Sequence, residues 1–140
     1  MIIVLDTNVI VAGLLSPFGP CGKIVRMLSS GELTLSLDAR ILSEYQEVLA
    51  RPRFKFDKDK LAVLLDQIEH RGLTAASSPL LHPLPDIYDE PFLAVAIAAR
   101  TTCIVTENQK HFPAELCQAV TVLSPGEFLP FYKKQRIAIS

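Results

Sequence analysis

Apolar residues occur along the chain in short runs that predict buried strands alternating with helices. The first run, Ile2 to Leu5, leads directly into Asp6-Thr7-Asn8, which indicates a buried parallel strand followed by a helix start. Similar runs predict further strands at residues 33–37, 73–76, 103–106 and 119–123. The strand at 73–76 is expected to lie at an edge of the sheet.

The segments between these runs carry helical periodicity and helix-end signals. An apolar helix is predicted from Val9 to Leu15, and the prolines and glycines of residues 17–22 predict a loop after it. Gly31 is expected to close a second, short helix. Asp38 and Asp57 are predicted N-caps of two further helices.

The last third of the chain continues the same alternation. Residues 77–89 predict a loop, and residues 91–100, apolar on every side, predict a buried helix. A turn of helix is expected at 126–131, followed by a frayed tail with the basic residues Lys133, Lys134 and Arg136. Strands alternating with helices predict an α/β fold, a three-layer α/β/α sandwich with a central, mainly parallel sheet.

The composition adds that the chain is globular. Hydrophobic residues make up 49% of the 140 residues and charged residues 21%, values that argue against disorder, coiled coils and repeat arrays. A chain of this length is expected to form a single domain over residues 1–140.

The cysteines, the N-terminus and the net charge restrict the cellular setting. The three cysteines form no Cys-x-x-Cys pair and the three histidines lie far apart, so we expect a reducing compartment and no structural zinc. The first residues do not resemble a signal peptide, and no apolar run approaches the ~20 residues of a membrane span, which predicts a cytoplasmic protein. A net charge of −1 means that a nucleic-acid partner must be held by a local patch.

Polar residues follow two of the predicted strands directly. Asp6 comes after the first strand, and Thr106-Glu107-Asn108 comes after the strand at 103–106. The carboxyl ends of parallel strands form the ligand crevice of such sheets, so these residues are expected to be neighbours. Asp6 can equally be a helix cap, and its position alone leaves both interpretations open.

Glu44 is a candidate partner for Asp6. A helical wheel places Glu44 on the flank of an apolar stripe formed by Ile41, Leu42, Tyr45, Val48 and Leu49. Glu47 points almost opposite that stripe and is expected to be solvated. Most helical glutamates lie at the surface, so position alone does not make Glu44 functional.

Asp86 and Asp89 stand just before the buried helix. Asp89 is expected either to cap that helix or to hold a cation beside a phosphate at the positive helix N-terminus, and these roles are compatible. Asp86 is expected to start the preceding turn.

Four motifs in this order resemble the PIN domain family, and within it the VapC-like toxins of toxin–antitoxin pairs. They are Ile-Ile-Val-Leu-Asp6-Thr7-Asn8, then Ser43-Glu44-Tyr45, then Asp86-x-x-Asp89 with Phe92-Leu93-Ala94, and Val105-Thr106-x-Asn108-x-x-His111-Phe112. Each motif alone is weakly specific, whereas the ordered series covers nearly the whole chain. The resemblance implies a PIN-like fold and nuclease activity.

The resemblance also implies a set of site residues. Asp6, Glu44 and Asp89 match the three metal-binding acids of the family, and Asn108 stands where many members have a fourth aspartate. Asn108 keeps a carbonyl oxygen but removes one charge, which puts loading with two metals in doubt. Asp86 is a weaker, outer candidate.

The resemblance to the PIN domain family also implies supporting roles for three further residues. Thr7 and Thr106 are expected to orient the acids by hydrogen bonds. His111 is expected to be structural or to face a phosphate.

The resemblance implies a metal-dependent endoribonuclease. Clustered carboxylates repel one another unless a cation neutralises them, and hard oxygen ligands favour Mg²⁺ or Mn²⁺. The cation would activate water for attack on an RNA phosphodiester. An antitoxin protein and a homodimer or higher homo-oligomer are the expected protein partners.

Residues 51–58 interleave four basic residues with Phe54 and Phe56. A solvated loop anchored by two core phenylalanines is the favoured interpretation. The alternative is an RNA clamp that combines phosphate contacts with base stacking.

Other functions fit the residues less well. A phosphatase of the aspartate-nucleophile type needs an acid at position 8, where this chain has Asn8, and a receiver domain needs an acidic pair near Asp6. The main rival is a PIN-like module that binds RNA or a protein with weak or no cleavage, because of Asn108.

Overall fold

The computed structural model describes the backbone of residues 1–139 and the side chains of residues 1–137. The strands are β1 (Ile2–Leu5), β2 (Thr34–Leu37), β3 (Leu73–Thr74), β4 (Ile104–Val105) and β5 (Val122–Leu123). The α-helices are α1 (Thr7–Leu15), α2 (Pro20–Ser30), α3 (Ala39–Leu49), α4 (Lys58–Arg71), α5 (Glu90–Ala99) and α6 (Pro125–Ile139). Short 3-10 helices occur at Pro52–Phe54, Ile87–Asp89, Gln109–His111 and Ala114–Leu116.

The strands form one parallel sheet with the order β3-β2-β1-β4-β5. The central strand, β1, pairs Ile2 with Thr34 of β2 and Leu5 with Val105 of β4. The side chains of Ile3 to Leu5 are completely buried, as expected for a central strand with helices on both faces of its sheet. The predicted three-layer α/β/α fold is confirmed.

Helices α3 and α5 both contact β1. Asp38 caps α3 as predicted, because its side chain accepts a hydrogen bond from the Ile41 N–H at 3.0 Å. The buried hydroxyl of Tyr45 donates to the Leu5 carbonyl oxygen at 2.5 Å, which fixes α3 against the end of β1. The apolar helix α5 packs on β1 and β2 and is buried along Phe92–Ala96.

Helix α6 differs from the expected turn of helix and frayed tail. It begins at Pro125 and continues to Ile139, so the basic residues Lys133, Lys134 and Arg136 lie on a helix. The reason is aromatic packing: Phe128 is completely buried, and the Tyr132 ring centroid lies 6.0 Å from that of Phe128. The prediction of a frayed tail was therefore wrong.

Helices α1 and α2 pack tightly against one another. Helix α2 starts at Pro20, earlier than predicted, and the backbone of Gly22 lies against Pro17 so closely that a Cβ atom would come 2.1 Å from the Pro17 carbonyl oxygen. In the part of the chain that the structure describes, no single helix is long and apolar enough to cross a membrane. Among the described helices, α1 and α2 taken together have sufficient length and apolar composition, but they are bent by 104° relative to one another.

Candidate metal centre

The ends of β1 and β4 bring Asp6 and Thr106 together. The parallel pairing of Leu5 with Val105 places both residues at the same edge of the sheet. Thr106 donates a hydrogen bond from its hydroxyl to Asp6 Oδ2 at 2.8 Å, and both side chains are buried. The expectation that these two turns are neighbours is confirmed.

Asp6 does not act as a side-chain cap. The carboxylate makes no capping hydrogen bond to α1, although the backbone N–H groups of Thr7 and Asn8 favour its charged form. The interpretation of Asp6 as a helix cap is therefore not supported by the geometry. Its carboxylate is instead buried and accepts the hydrogen bond from Thr106.

Glu44 reaches the same crevice from α3. It is half-buried, and Thr7 donates a hydrogen bond from its hydroxyl to Glu44 Oε2. Glu47, one turn further along, is exposed and forms an ion pair with Arg51 at 2.9 Å. The helical phase expected from the apolar stripe of α3 is therefore correct for both glutamates.

Asp89 enters from the end of the 3-10 helix that precedes α5. It is buried and makes no capping hydrogen bond with its side chain, whereas Asp86 caps the 3-10 helix by accepting from the Tyr88 N–H at 2.9 Å. His111 Nδ1 lies 3.1 Å from Asp89 Oδ2. One ligand atom each from Asp86, Asp89 and His111 lie within 4.8 Å of one another, a spacing that could hold a metal ion.

His111 contacts a predicted metal-binding acid, a pairing that the sequence did not predict. The chain separates His111 from Asp89 by the whole of α5 and β4, so the pattern of residues contains no local signal for it. The motif that ends in His111-Phe112 gives an indirect indication that His111 lies near the site, because this motif begins in β4, the strand that pairs with β1.

Asn108 contacts the residues of the candidate site through its backbone N–H. It is exposed, and its N–H donates to Thr106 Oγ1 at 3.0 Å. The neighbouring Glu107 N–H donates to Asn8 Oδ1 at 3.3 Å. These bonds hold the turn after β4 against the start of α1, a role of Asn8 that the sequence analysis missed. A metal-ligand role for the Asn108 side chain stays a prediction.

The three acids perturb one another electrostatically. The pKa of Asp6 is raised to about 6, mainly by burial and to a smaller extent by the charge of Asp89, while the hydrogen bond from Thr106 acts in the opposite direction. Burial also raises the pKa of Glu44, with a contribution from the charge of Asp6. The pKa of Asp89 is raised by burial, then by the charge of Asp86, and also by that of Glu44, while His111 lowers it.

These mutual effects show that the carboxylates of Asp6, Glu44 and Asp89 are close enough to interact. Their ionised forms are destabilised by burial and by one another, which is the condition that a bound cation relieves. The available donor atoms are carboxylate oxygens, which suit hard divalent cations of the Mg²⁺ and Mn²⁺ type.

Sequence comparison agrees with this arrangement. A sequence model of the PIN domain family matches residues 2–110, which include Asp6, Glu44, Asp89 and Asn108. The chain belongs to the PIN domain family. PIN domains are generally nucleases and typically use divalent metals. No curated protein matches this PIN domain in sequence.

A solved structure shares the fold of this PIN domain. It is a chain in the crystal structure of FitAcB from Neisseria gonorrhoeae, with a TM-score of 0.57 and 20% sequence identity. The match covers 90% of this chain and 99% of the other. At this level of identity, the likeness concerns the fold.

The basic segment between α3 and α4 forms a small aromatic stack. Phe54 lies parallel to Phe56 with 5.4 Å between ring centroids, and the Arg53 guanidinium lies 4.8 Å from the centroid of Phe54. Phe56 packs against the hydrophobic core. Only one of the two phenylalanines therefore anchors the segment directly, while Arg53 and Lys55 remain exposed.

Proposed function

We propose that this PIN domain is a metal-dependent endoribonuclease that hydrolyses RNA phosphodiester bonds. The observation that carries the proposal is the convergence of Asp6, Glu44 and Asp89, from β1, α3 and the start of α5, with raised pKa values caused by burial and by one another. Such a cluster is electrostatically unfavourable without a cation, so its presence supports a metal-binding role.

In the proposed site, Asp6, Glu44 and Asp89 hold Mg²⁺ or Mn²⁺, with Asn108 as a fourth oxygen ligand. The hydroxyls of Thr106 and Thr7 each donate to one of these acids and keep its carboxylate oriented. When bound, the cation would make water more acidic for attack on the phosphodiester and offset charge on the leaving oxygen.

His111 and Asp86 have outer roles in this proposal. The His111 ring, beside Asp89, orients that carboxylate by a hydrogen bond and, when protonated, stabilises its charged form. Asp86 closes the turn that carries Asp89, because its side chain accepts the Tyr88 N–H. Both residues therefore adjust the position of Asp89 at the site.

The test is cleavage of a mixed RNA by purified protein in EDTA, in Mg²⁺ and in Mn²⁺. We expect cleavage only with a divalent cation, because the acids alone cannot activate water for attack on an anionic diester. Undiminished cleavage in excess EDTA would overturn the metal dependence. RNA binding without cleavage under every condition would favour the alternative, a weak or inactive PIN-like module, for which the uncharged Asn108 is the supporting observation.

The resemblance to VapC-like toxins supports a role as the toxin of a toxin–antitoxin pair in the cytoplasm. The expected partners are an antitoxin protein and further copies of the chain. A small DNA-binding antitoxin encoded next to this gene, and its co-purification with this protein, would be the direct test. The proposal also includes that residues 1–140 act as one PIN-like domain. A shared hydrophobic core that extends from Ile3 in β1 to Phe128 in α6 supports it.

A further inference from the structure

We infer that the groove between α3 and the 3-10 helix Ile87–Asp89 holds the RNA strand next to the cleaved phosphate, with Tyr88 as a base-stacking platform. The inference rests on the proposed ribonuclease function and adds a substrate-binding surface to it. The groove is a cavity of about 760 Å³, and Glu44, a candidate metal ligand, forms part of its lining. The groove and the proposed metal centre therefore share Glu44.

Tyr88 is placed to contact a nucleotide. Its side chain is 75% exposed, and the neighbouring Ile87 is 70% exposed. The backbone of Tyr88 is nevertheless held in place, because its N–H donates to Asp86 Oδ1 at 2.9 Å. A ring this exposed adds little to folding stability, but a fixed aromatic surface one residue from Asp89 suits stacking of a base.

The opposite wall of the groove supplies charge for a phosphate backbone. Arg40, in the first turn of α3, and Arg51, just after the end of α3, both line the groove. Each guanidinium has a carboxylate partner, Asp38 for Arg40 and Glu47 for Arg51. The pair of Arg51 with Glu47 is exposed on both sides, and such pairs contribute little stability, so Arg51 can exchange Glu47 for a phosphate.

The combination favours an RNA strand over a protein segment as occupant. Tyr88, Ile87 and Val48 give the groove aromatic and apolar surface. Arg40 and Arg51 add positive charge beside the carboxylates of Glu44 and Glu47. A nucleic-acid strand carries its phosphates along the backbone and its bases to one side, and sequence-independent strand binding combines base stacking with basic contacts to the phosphates. A peptide partner in this groove is the competing possibility that the experiment must reject.

The experiment compares Tyr88→Ala with the parent protein by fluorescence anisotropy. The probes are a labelled 12-nucleotide single-stranded RNA and an abasic oligonucleotide with the same number of phosphates, both in buffer with Ca²⁺ in place of Mg²⁺. A gel must show that the RNA remains intact. We expect Tyr88→Ala to weaken RNA binding about five- to 100-fold and to leave binding of the abasic probe unchanged.

Two variants serve as controls. Tyr88→Phe keeps the ring and should retain RNA affinity, and Phe18→Ala removes a completely exposed aromatic that does not line the groove and should also retain it. Equal losses for both probes, or unchanged RNA affinity in Tyr88→Ala, would overturn the inference and leave the groove as a site for a peptide. The proposed function fails separately, if the parent protein cleaves no RNA in Mg²⁺ or Mn²⁺.

Discussion

Thr7 donates a hydrogen bond from its hydroxyl to Glu44, 37 residues further along the chain, and so joins the start of α1 to α3. Thr106 makes the equivalent bond to Asp6 from the end of β4. Each bond lowers the pKa of the acid that it reaches, although burial raises both pKa values more. The two hydroxyls thus hold the carboxylates in fixed directions without removing their need for a cation.

The first prediction compares two glutamates on α3. Glu44→Gln should reduce RNA cleavage by orders of magnitude, because the amide removes a charge from the proposed metal centre. Glu47→Gln should retain activity, since Glu47 is exposed and pairs only with Arg51 among the contacts described. Rates of cleavage in Mn²⁺ provide the measurement. Similar losses in the two variants would show that the site does not include α3 in the proposed way.

The second prediction concerns the pH dependence of stability without metal. The pKa of Asp6 is higher in the folded protein than its ordinary value, so the folded state binds the proton more tightly. Stability linked to Asp6 is therefore fully present below about pH 3.8 and is lost as the pH rises towards about 6. At about 1.4 kcal/mol per pKa unit, the loss is on the order of 3 kcal/mol.

Asp6→Asn should remove this dependence while it keeps an oxygen that can accept from Thr106. In EDTA, the variant should melt at a higher temperature than the parent at pH 7.5, and the difference should disappear near pH 4. Thermal unfolding across this pH range is the measurement, with Glu47→Gln as the exposed-acid control. A variant less stable than the parent at pH 7.5 would contradict the conclusion that ionised Asp6 destabilises the metal-free protein.

The third prediction concerns Asp89. In metal-free protein, Asp89→Asn should be as stable as the parent or more stable at neutral pH, because burial and neighbouring acids raise the pKa of Asp89. Mn²⁺ should raise the melting temperature of the variant less than that of the parent, since stabilisation depends on occupancy of the folded state. Cleavage should fall by orders of magnitude. Retention of both cleavage and the parent's thermal shift would remove Asp89 from the metal centre.

The fourth prediction tests the basic segment after α3 as an RNA clamp. Changing Arg53 and Lys55 together to Glu should weaken RNA binding and flatten its salt dependence, because fewer counterions are released from the phosphates. Affinity measured at several salt concentrations provides the test. Both side chains are exposed, so the fold should be retained. Unchanged affinity and slope would leave the segment as a solvated loop anchored by Phe56.

Local patterns in the sequence were sufficient to predict most elements of this fold. The caps at Asp38 and Asp57 both accept backbone N–H groups, and Gly31 ends α2 with the positive φ of 86° that favours glycine. These features depend on neighbouring residues only. The phase of the apolar stripe on α3 also distinguished Glu44 from Glu47, because a helix repeats its faces at a fixed interval.

Other features depend on contacts that no local pattern encodes. Gly22 resembles a loop residue in the sequence, yet it lies within α2, where the absence of a side chain allows the backbone of Pro17 to approach closely. Helix α6 extends beyond the predicted turn because Phe128 is buried in the core and Tyr132 packs on it. In both cases, packing in the folded chain outweighs what the residue types alone indicate.

By itself, the sequence determined which acids are available and that two strand ends carry polar residues, since strand endings and residue types are local properties. Only the tertiary structure decided which groups meet: Thr106 with Asp6, 100 residues apart, Thr7 with Glu44, and His111 with Asp89. It also decided that Asp6 and Asp89 are not side-chain caps. The physical reason is that the charge state and orientation of a carboxylate depend on its burial and on its neighbours in space. Both arise only when β1 pairs with β4 and helices α3 and α5 pack beside these strands.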